Sequence, residues 1–173
     1  TTENSDTKIA VDVEPLDSPA TSEKYFVYAS GAVYGSGINY YRFQIFWKAT
    51  AGVNIKLSQT NKTPVVDTSL RRMNLALDGM NGICQIDGVS DTFTKRLLAG
   101  DTTTIYLFGS ASMRYGIRAN MYSCQIYKGK DLPLVRDFVP CINPSGEIGL
   151  YDLVSDQFYK NKGTGVLTPG PAV

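Results

Sequence analysis

Asp12-Val13-Glu14 places two carboxylates at a spacing that suits acid/base chemistry, and no other stretch of the chain repeats it. In an extended chain, side chains at i and i+2 share a face about 6.5–7 Å apart, a separation at which paired carboxyl groups can flank a glycosidic bond. The chain contains no histidine, which removes Ser-His-Asp and Cys-His arrangements and the imidazole metal ligands. Acid/base work therefore falls to carboxylates, Tyr or Lys. The competing reading is two solvated charges at a strand edge, since the pair lies near the start of the chain and runs into Pro15.

A second set suits recognition rather than reaction. Sugars are held by an aromatic ring stacked on the pyranose face, beside planar polar groups that bond pairs of hydroxyls, all mounted on a rigid sheet or its edge loops. Aromatics crowd residues 25–47, and the extended run Ile38–Lys48 carries them on both faces. Alternation sends Tyr41, Phe43, Ile45 and Trp47 one way, as the core face, and Tyr40, Arg42, Gln44 and Phe46 the other. The run Arg72–Asp78 turns Met73, Leu75 and Leu77 inward and Arg72, Asn74, Ala76 and Asp78 outward. Tyr40, Arg42 and Gln44, with Arg72, Asn74 and Asp78, are thus candidates for one polar and aromatic groove, rimmed from loops by Tyr34 and Tyr115. The alternative is that Tyr and Arg cover a solvated sheet, or that Tyr40 and Phe46 pack beneath a loop.

Metal and phosphate signals are weak. Asp78, Asn81, Asp87 and Asp91 bring oxygen ligands close together, but their spacing matches no calcium loop and fits turn chemistry. Gly31, Gly35 and Gly37 lack the Lys-Ser/Thr and helix of a phosphate loop. The three cysteines, Cys84, Cys124 and Cys141, contain no C-x-x-C. Cys124 and Cys141 lie on consecutive expected strands and could pair if these are neighbours; otherwise all three read as small buried hydrophobes. No cofactor is expected.

The elements that must position these residues are strands. Lys8–Glu14 alternates Ile9, Val11 and Val13 against Ala10, Asp12 and Glu14. Further extended runs cover Lys24–Ser30, Val53–Gln59, Ile83–Ile86, Thr92–Lys95, Thr104–Phe108 and Met121–Lys128, the last with Tyr122, Cys124 and Ile126 on one face and Ser123, Gln125 and Tyr127 on the other. Asp78-Gly79 and Asp87-Gly88 are turn signals. About ten short strands, with no amphipathic helix and no internal repeat, predict an all-β, antiparallel two-sheet sandwich.

The chain closes with Leu134–Val139, the turn Asn143-Pro144-Ser145-Gly146, the run Ile148–Val154 and a Gly-punctuated tail. The motifs Val135-Arg136-Asp137-Phe138-Val139-Pro140-Cys141, Gly149-Leu150-Tyr151-Asp152, Phe158-Tyr159-x-Asn161 and Gly163-Thr164-Gly165 resemble the closing segment of laminin-G-like, concanavalin A-like jelly-roll domains of phage tail and gut-bacterial surface proteins. The resemblance covers Met121–Gly165, and upstream only the strand pattern and the turns at Leu77–Gly79 and Gln85–Gly88. It implies a jelly-roll topology. Glucanases of that fold carry a Glu-x-Asp-x-Glu strand, and here Ala10 stands at its first position. Arg136-Asp137 and Tyr151-Asp152 read as structural pins.

At 173 residues and 43% hydrophobic content, the chain suits one domain over 1–173, with frayed tails at 1–7 and 166–173. A formal net charge of +1 leaves no electrostatic footprint for nucleic acid, and no apolar run reaches membrane-spanning length. The expectation is a non-catalytic module binding a glycan or cell-surface polysaccharide, on a virion or an extracellular surface. The alternatives are a fibre, decoration or assembly domain contacting other virion or surface-protein chains, and a glycan hydrolase built on Asp12 and Glu14.

Overall fold

The computed structural model describes residues 2–3, 6–18, 23–32, 40–49, 51–57, 60–94, 102–109, 115–162 and 165–170. Its strands are β1 (Thr2–Glu3), β2 (Thr7–Pro15), β3 (Lys24–Ala32), β4 (Tyr40–Lys48), β5 (Gly52–Leu57), β6 (Thr60–Lys62), β7 (Met73–Asp78) and β8 (Ile83–Ile86). They continue with β9 (Val89–Thr92), β10 (Thr102–Thr103), β11 (Tyr106–Leu107), β12 (Ala119–Lys128), β13 (Leu134–Ile142), β14 (Ile148–Asp152) and β15 (Gln157–Lys160). No helix occurs among the described residues. The chain is all-β.

Eight strands form one antiparallel sheet in the order β15-β14-β13-β12-β2-β7-β8-β9, and five form another in the order β11-β3-β4-β5-β6. Burial along β2 alternates at every residue, with Ile9, Val11 and Val13 facing in. These pack with Met73, Leu75, Leu77, Cys84, Ile86 and Cys124 of the same sheet against Phe26, Val27, Ala29, Phe43, Ile45, Trp47, Val53, Ile55 and Leu57 of the other. Each fully buried aliphatic or aromatic side chain here contributes about 1.5–3 kcal/mol. The result is a β-sandwich whose core is fed by the inward set of every central strand.

That core is centred on β2, β7, β8 and β12 on the larger side, and of the hairpins β13–β15 only Phe138 packs against it. Ile142 in β13, 56% exposed, and Leu153 and Val154 in the β14–β15 turn, 58% and 47% exposed, stay uncovered.

Several turns follow directly from residue type. Asp87 and Gly88 take positive φ of 49° and 82° and join β8 to β9 with Ile86 paired to Val89, the two-residue hairpin that Asp-Gly favours. The same turn moves the expected strand at Thr92–Lys95 forward to Val89–Thr92. In the closing segment Asn143 Oδ1 accepts the backbone N–H groups of Ser145 and Glu147 at 3.0 and 2.9 Å, which shapes the β13–β14 reversal. The expected run Ile148–Val154 ends instead at Asp152, and a separate strand, β15, follows.

Thr7 is fully buried as the first residue of β2, and Thr2–Glu3 pair with Thr102–Thr103. Cys124 and Cys141 do lie on neighbouring strands, but Cys124 stands opposite Phe138. Cys141 is three residues further on, about 10 Å along the strand and on the opposite face, beyond disulfide reach. All three cysteines are free.

Candidate functional site

The outward face of the eight-stranded sheet carries a linked set of polar side chains, and a bulge in β12 organises it. Met121 pairs with Val13 and Ser123 pairs with Asp12, so Tyr122 is an extra residue with no partner position on β2. A bulge re-aims its side chain. Parity with Cys124 and Ile126 would send Tyr122 into the core; instead it is 37% exposed and reaches across the outer face.

Its ring and hydroxyl are both held. Tyr122 Oη donates to Glu14 Oε2 at 2.8 Å, and Asn120 Nδ2 donates to the same oxygen at 3.1 Å. The Arg72 guanidinium carbon lies 3.9 Å from the Tyr122 ring centroid, within the range of a cation–π contact. Arg72 is itself fixed by a bidentate pair with Asp12, Nε to Oδ1 at 2.9 Å and Nη2 to Oδ2 at 2.6 Å. The hydrogen bond from Tyr122, then that from Asn120, holds the Glu14 carboxyl below its ordinary range, and the same bond raises the Tyr122 hydroxyl. The bond to Asp12 raises the guanidinium further. The two carboxylates of the Asp12-Val13-Glu14 spacing thus each have assigned donors.

Beside this cluster lies a shallow depression of about 180 Å³, lined by Lys8, Ala10, Asp12, Asn74, Ala76, Gln85, Ser123 and Gln125 among others. Its shape follows from register. A row across the sheet reads Gln125, Ala10, Ala76, Gln85, each paired to the next. Two alanines make the floor and two amides make walls about 14 Å apart, three strand spacings. Tyr127 Oη donates to Gln125 Oε1 and Gln85 Nε2 donates to Ser90 Oγ, both at 2.9 Å. Each bond uses one polar atom of its amide and fixes the orientation of the other. Lys8, at the far end, has its ammonium 5.3 Å from the Tyr127 ring centroid.

The groove expected from the sequence is divided between the two sheets. Tyr40, Arg42 and Gln44 belong to β4 of the five-stranded sheet, whereas Arg72 immediately precedes β7 and Asn74 and Asp78 lie on it, in the eight-stranded sheet. Gln44 is 3% exposed and Phe46 fully buried, the latter with its ring 5.7 Å from Tyr25. Tyr25 also contacts Tyr28 and Tyr115, at 4.9 and 6.4 Å between ring centroids, so this outer face is an aromatic layer rather than an open platform there. Tyr115 is exposed and sits on this side. Tyr40 and Arg42 are placed by backbone register opposite Ala32 and Ser30. Tyr34, Gly35, Gly37, Gly163 and Thr164 lie outside the described residues.

Among the described residues of the expected set, only Arg72 and Asn74 reach the outer face of the larger sheet. Asp78 turns into the β7–β8 connection, buried, and accepts the backbone and side-chain N–H groups of Asn81 at 2.9 and 2.8 Å. Its companions in the calcium-like cluster are also dispersed. Asp87 pairs with Arg71 at 2.6 Å and Asp91 with Lys62 at 3.2 Å. Among the described residues no group of three or more His, Cys, Asp or Glu could hold a metal ion.

Tyr122, Ser123, Gln125 and Gln85 were not among the expected site residues. Alternation marks Ser123 and Gln125 as outward, and the signal was present for them; a bulge leaves no such mark for Tyr122. Neither family models nor curated protein sequences match the chain.

Proposed function

We propose that the chain is a non-catalytic carbohydrate-binding module of the concanavalin A-like jelly-roll type, borne on a virion or a cell surface and engaging a glycan through the outer face of its larger sheet. The jelly-roll assignment rests on the two-sheet sandwich together with the resemblance of Leu134–Gly165. One observation carries the binding assignment: an alanine-floored depression walled by fixed amides, whose lining residue Asp12 holds the guanidinium that covers the Tyr122 ring. Planar amides satisfy adjacent hydroxyls pairwise, and a floor without long side chains admits a ring between them.

The test is calorimetric titration with a panel of neutral oligosaccharides, comparing the native chain with Ala76→Tyr, which fills the floor from the solvent side. Binding by the native chain and its loss in the filled variant, at unchanged melting temperature, supports the assignment. A flat response to the whole panel removes it.

A second reading as an assembly domain rests on a separate observation. Hairpins β13–β15 extend past the shared core and leave Ile142, Leu153 and Val154 uncovered. A concentration-dependent oligomer abolished by Leu153→Ser and Val154→Ser favours it.

A further inference from the structure

The Asp12–Arg72–Tyr122–Glu14 arrangement holds more than an anchoring role for the sheet requires. Tyr122 is the added residue of a bulge, it is exposed, and one face of its ring is covered by a guanidinium that a neighbouring carboxylate fixes in two bonds. Held on one face and tied at its hydroxyl, the ring has fewer orientations to give up when a ligand arrives. Preorganisation of that kind lowers the entropic cost of stacking.

The charges around it favour one ligand class. Close to the ring stand two carboxylates, Asp12 and Glu14, and one cation, Arg72, whose charge is directed into Asp12. The donors on Glu14, Tyr122 and Asn120, are neutral and Arg72 acts on it only through space, so the surroundings of the ring keep a net negative charge, while the Lys8 ammonium stands at the far end of the depression. A ligand unit carrying its own carboxylate or sulfate meets repulsion there, while an uncharged ring meets only the π face and hydrogen-bonding groups.

We infer that Tyr122 is the stacking platform and specificity-determining residue of the binding face, that Arg72 is its positioning residue, and that the site selects an uncharged pyranose over an acidic sugar. This rests on the glycan-binding reading above and assigns its ligand class. Salt follows from the same geometry. Screening weakens repulsion between exposed charges at separations near the Debye length of about 8–10 Å, so the penalty against an acidic sugar shrinks as ionic strength rises.

The experiment compares neutral gluco-, galacto- and manno-oligosaccharides with a uronic-acid oligomer of equal length, at low and high salt. It uses the native chain, Tyr122→Ala, Tyr122→Phe, Arg72→Lys and the filled variant Ala76→Tyr, with melting temperatures recorded for each. The expected pattern is binding of a neutral oligosaccharide about tenfold or more tighter than the uronate, a difference that narrows with salt. Tyr122→Ala is expected to weaken the neutral ligand by about tenfold, Tyr122→Phe to stay within about threefold of native, and Arg72→Lys to fall between, because lysine lacks the planar fork. If Ala76→Tyr abolishes neutral binding while Tyr122→Ala leaves it intact, the platform assignment is wrong and the glycan reading survives. Equal affinity for the uronate overturns the selectivity, and no binding of any sugar by the native chain overturns both.

Discussion

Asp152 Oδ1 accepts the backbone N–H of Asp137 at 2.9 Å, although the two residues lie fifteen apart in sequence. The same oxygen takes the Val154 N–H at 3.1 Å, and Oδ2 takes the Ser155 hydroxyl at 2.5 Å, with Arg136 Nε at 3.5 Å. One buried carboxylate therefore ties the β14–β15 turn to the middle of β13. Burial pushes its carboxyl up, but the hydrogen bonds from Ser155, Asp137 and Val154 outweigh it and hold the group below its ordinary range. Replacing Asp152 with Ala strands these donors, and the expected cost is about 2–4 kcal/mol in urea denaturation. Asp152→Asn retains acceptor capacity at one oxygen and should lose less. Equal stability of the Ala variant and the native chain would refute the assignment.

Gly52 and Gly88 both have positive φ, at 63° and 82°, yet they should respond differently to alanine. A Cβ at Gly52 would stand 1.9 Å from the carbonyl oxygen of Asp67, whereas one at Gly88 meets nothing within 4 Å. Gly88→Ala carries only the conformational penalty, about 1 kcal/mol. Gly52→Ala must also displace the loop before β7, so its cost should exceed about 2 kcal/mol. Paired thermal melts compare them directly, and a Gly52→Ala variant no worse than Gly88→Ala would remove the steric argument.

Stability should decline in acid, and the loop before β7 should account for part of the slope. Asp67 has its carboxyl lowered from an ordinary 3.8 to about 2 by hydrogen bonds from the Ser69 hydroxyl and amide, then by Arg71. Asp91 is lowered by Lys62, and Glu147 by Lys160 and Asn143. In each case the unfolded chain binds the proton more readily than the folded one. The stabilisation is therefore complete above the unfolded pKa and is lost as pH falls through the folded value. Melting temperature followed from pH 6 to pH 2 should fall most steeply below about pH 4.5. Asp67→Asn should flatten the lowest part of that curve, and an unchanged slope would exclude its contribution.

Thiol labelling should separate the cysteines. Burial pushes the Cys84 and Cys124 thiols up to about 11 and about 12, leaving little thiolate at neutral pH. Cys141 is only half-buried. A maleimide added to the folded chain should modify Cys141 first, with the other two reacting after denaturation. Mass spectrometry reads the order, and early modification of Cys124 would contradict its place in the core.

Period-2 alternation finds β2, β4, β7 and β12 because each has one face in the core, so Ile9, Val11 and Val13, or Phe43, Ile45 and Trp47, declare their direction locally. The turns at Asp87-Gly88 and Asn143–Gly146 are equally local, since the residues themselves supply the positive φ or the Asx bond. Which strand joins which sheet is not local. Tyr40, Arg42 and Gln44 resemble Arg72, Asn74 and Asp78 in pattern, and only long-range pairing assigns them to separate sheets. Burial of Gln44 and Phe46 beside Tyr25 likewise depends on residues about twenty positions away. Tyr122 escapes alternation for a different reason, because its face is decided by an extra residue in register with nothing on β2.

That extra residue has a further consequence. Remove Tyr122 and the remaining pairs, Met121 with Val13 and Ser123 with Asp12, are those of an uninterrupted ladder. The scaffold has no need of the position, so a single-residue deletion there should leave the sandwich intact while erasing its proposed recognition element. Folding and binding would then answer to different residues within one strand, and ligand preference at this face could be rewritten by one insertion without renegotiating the core.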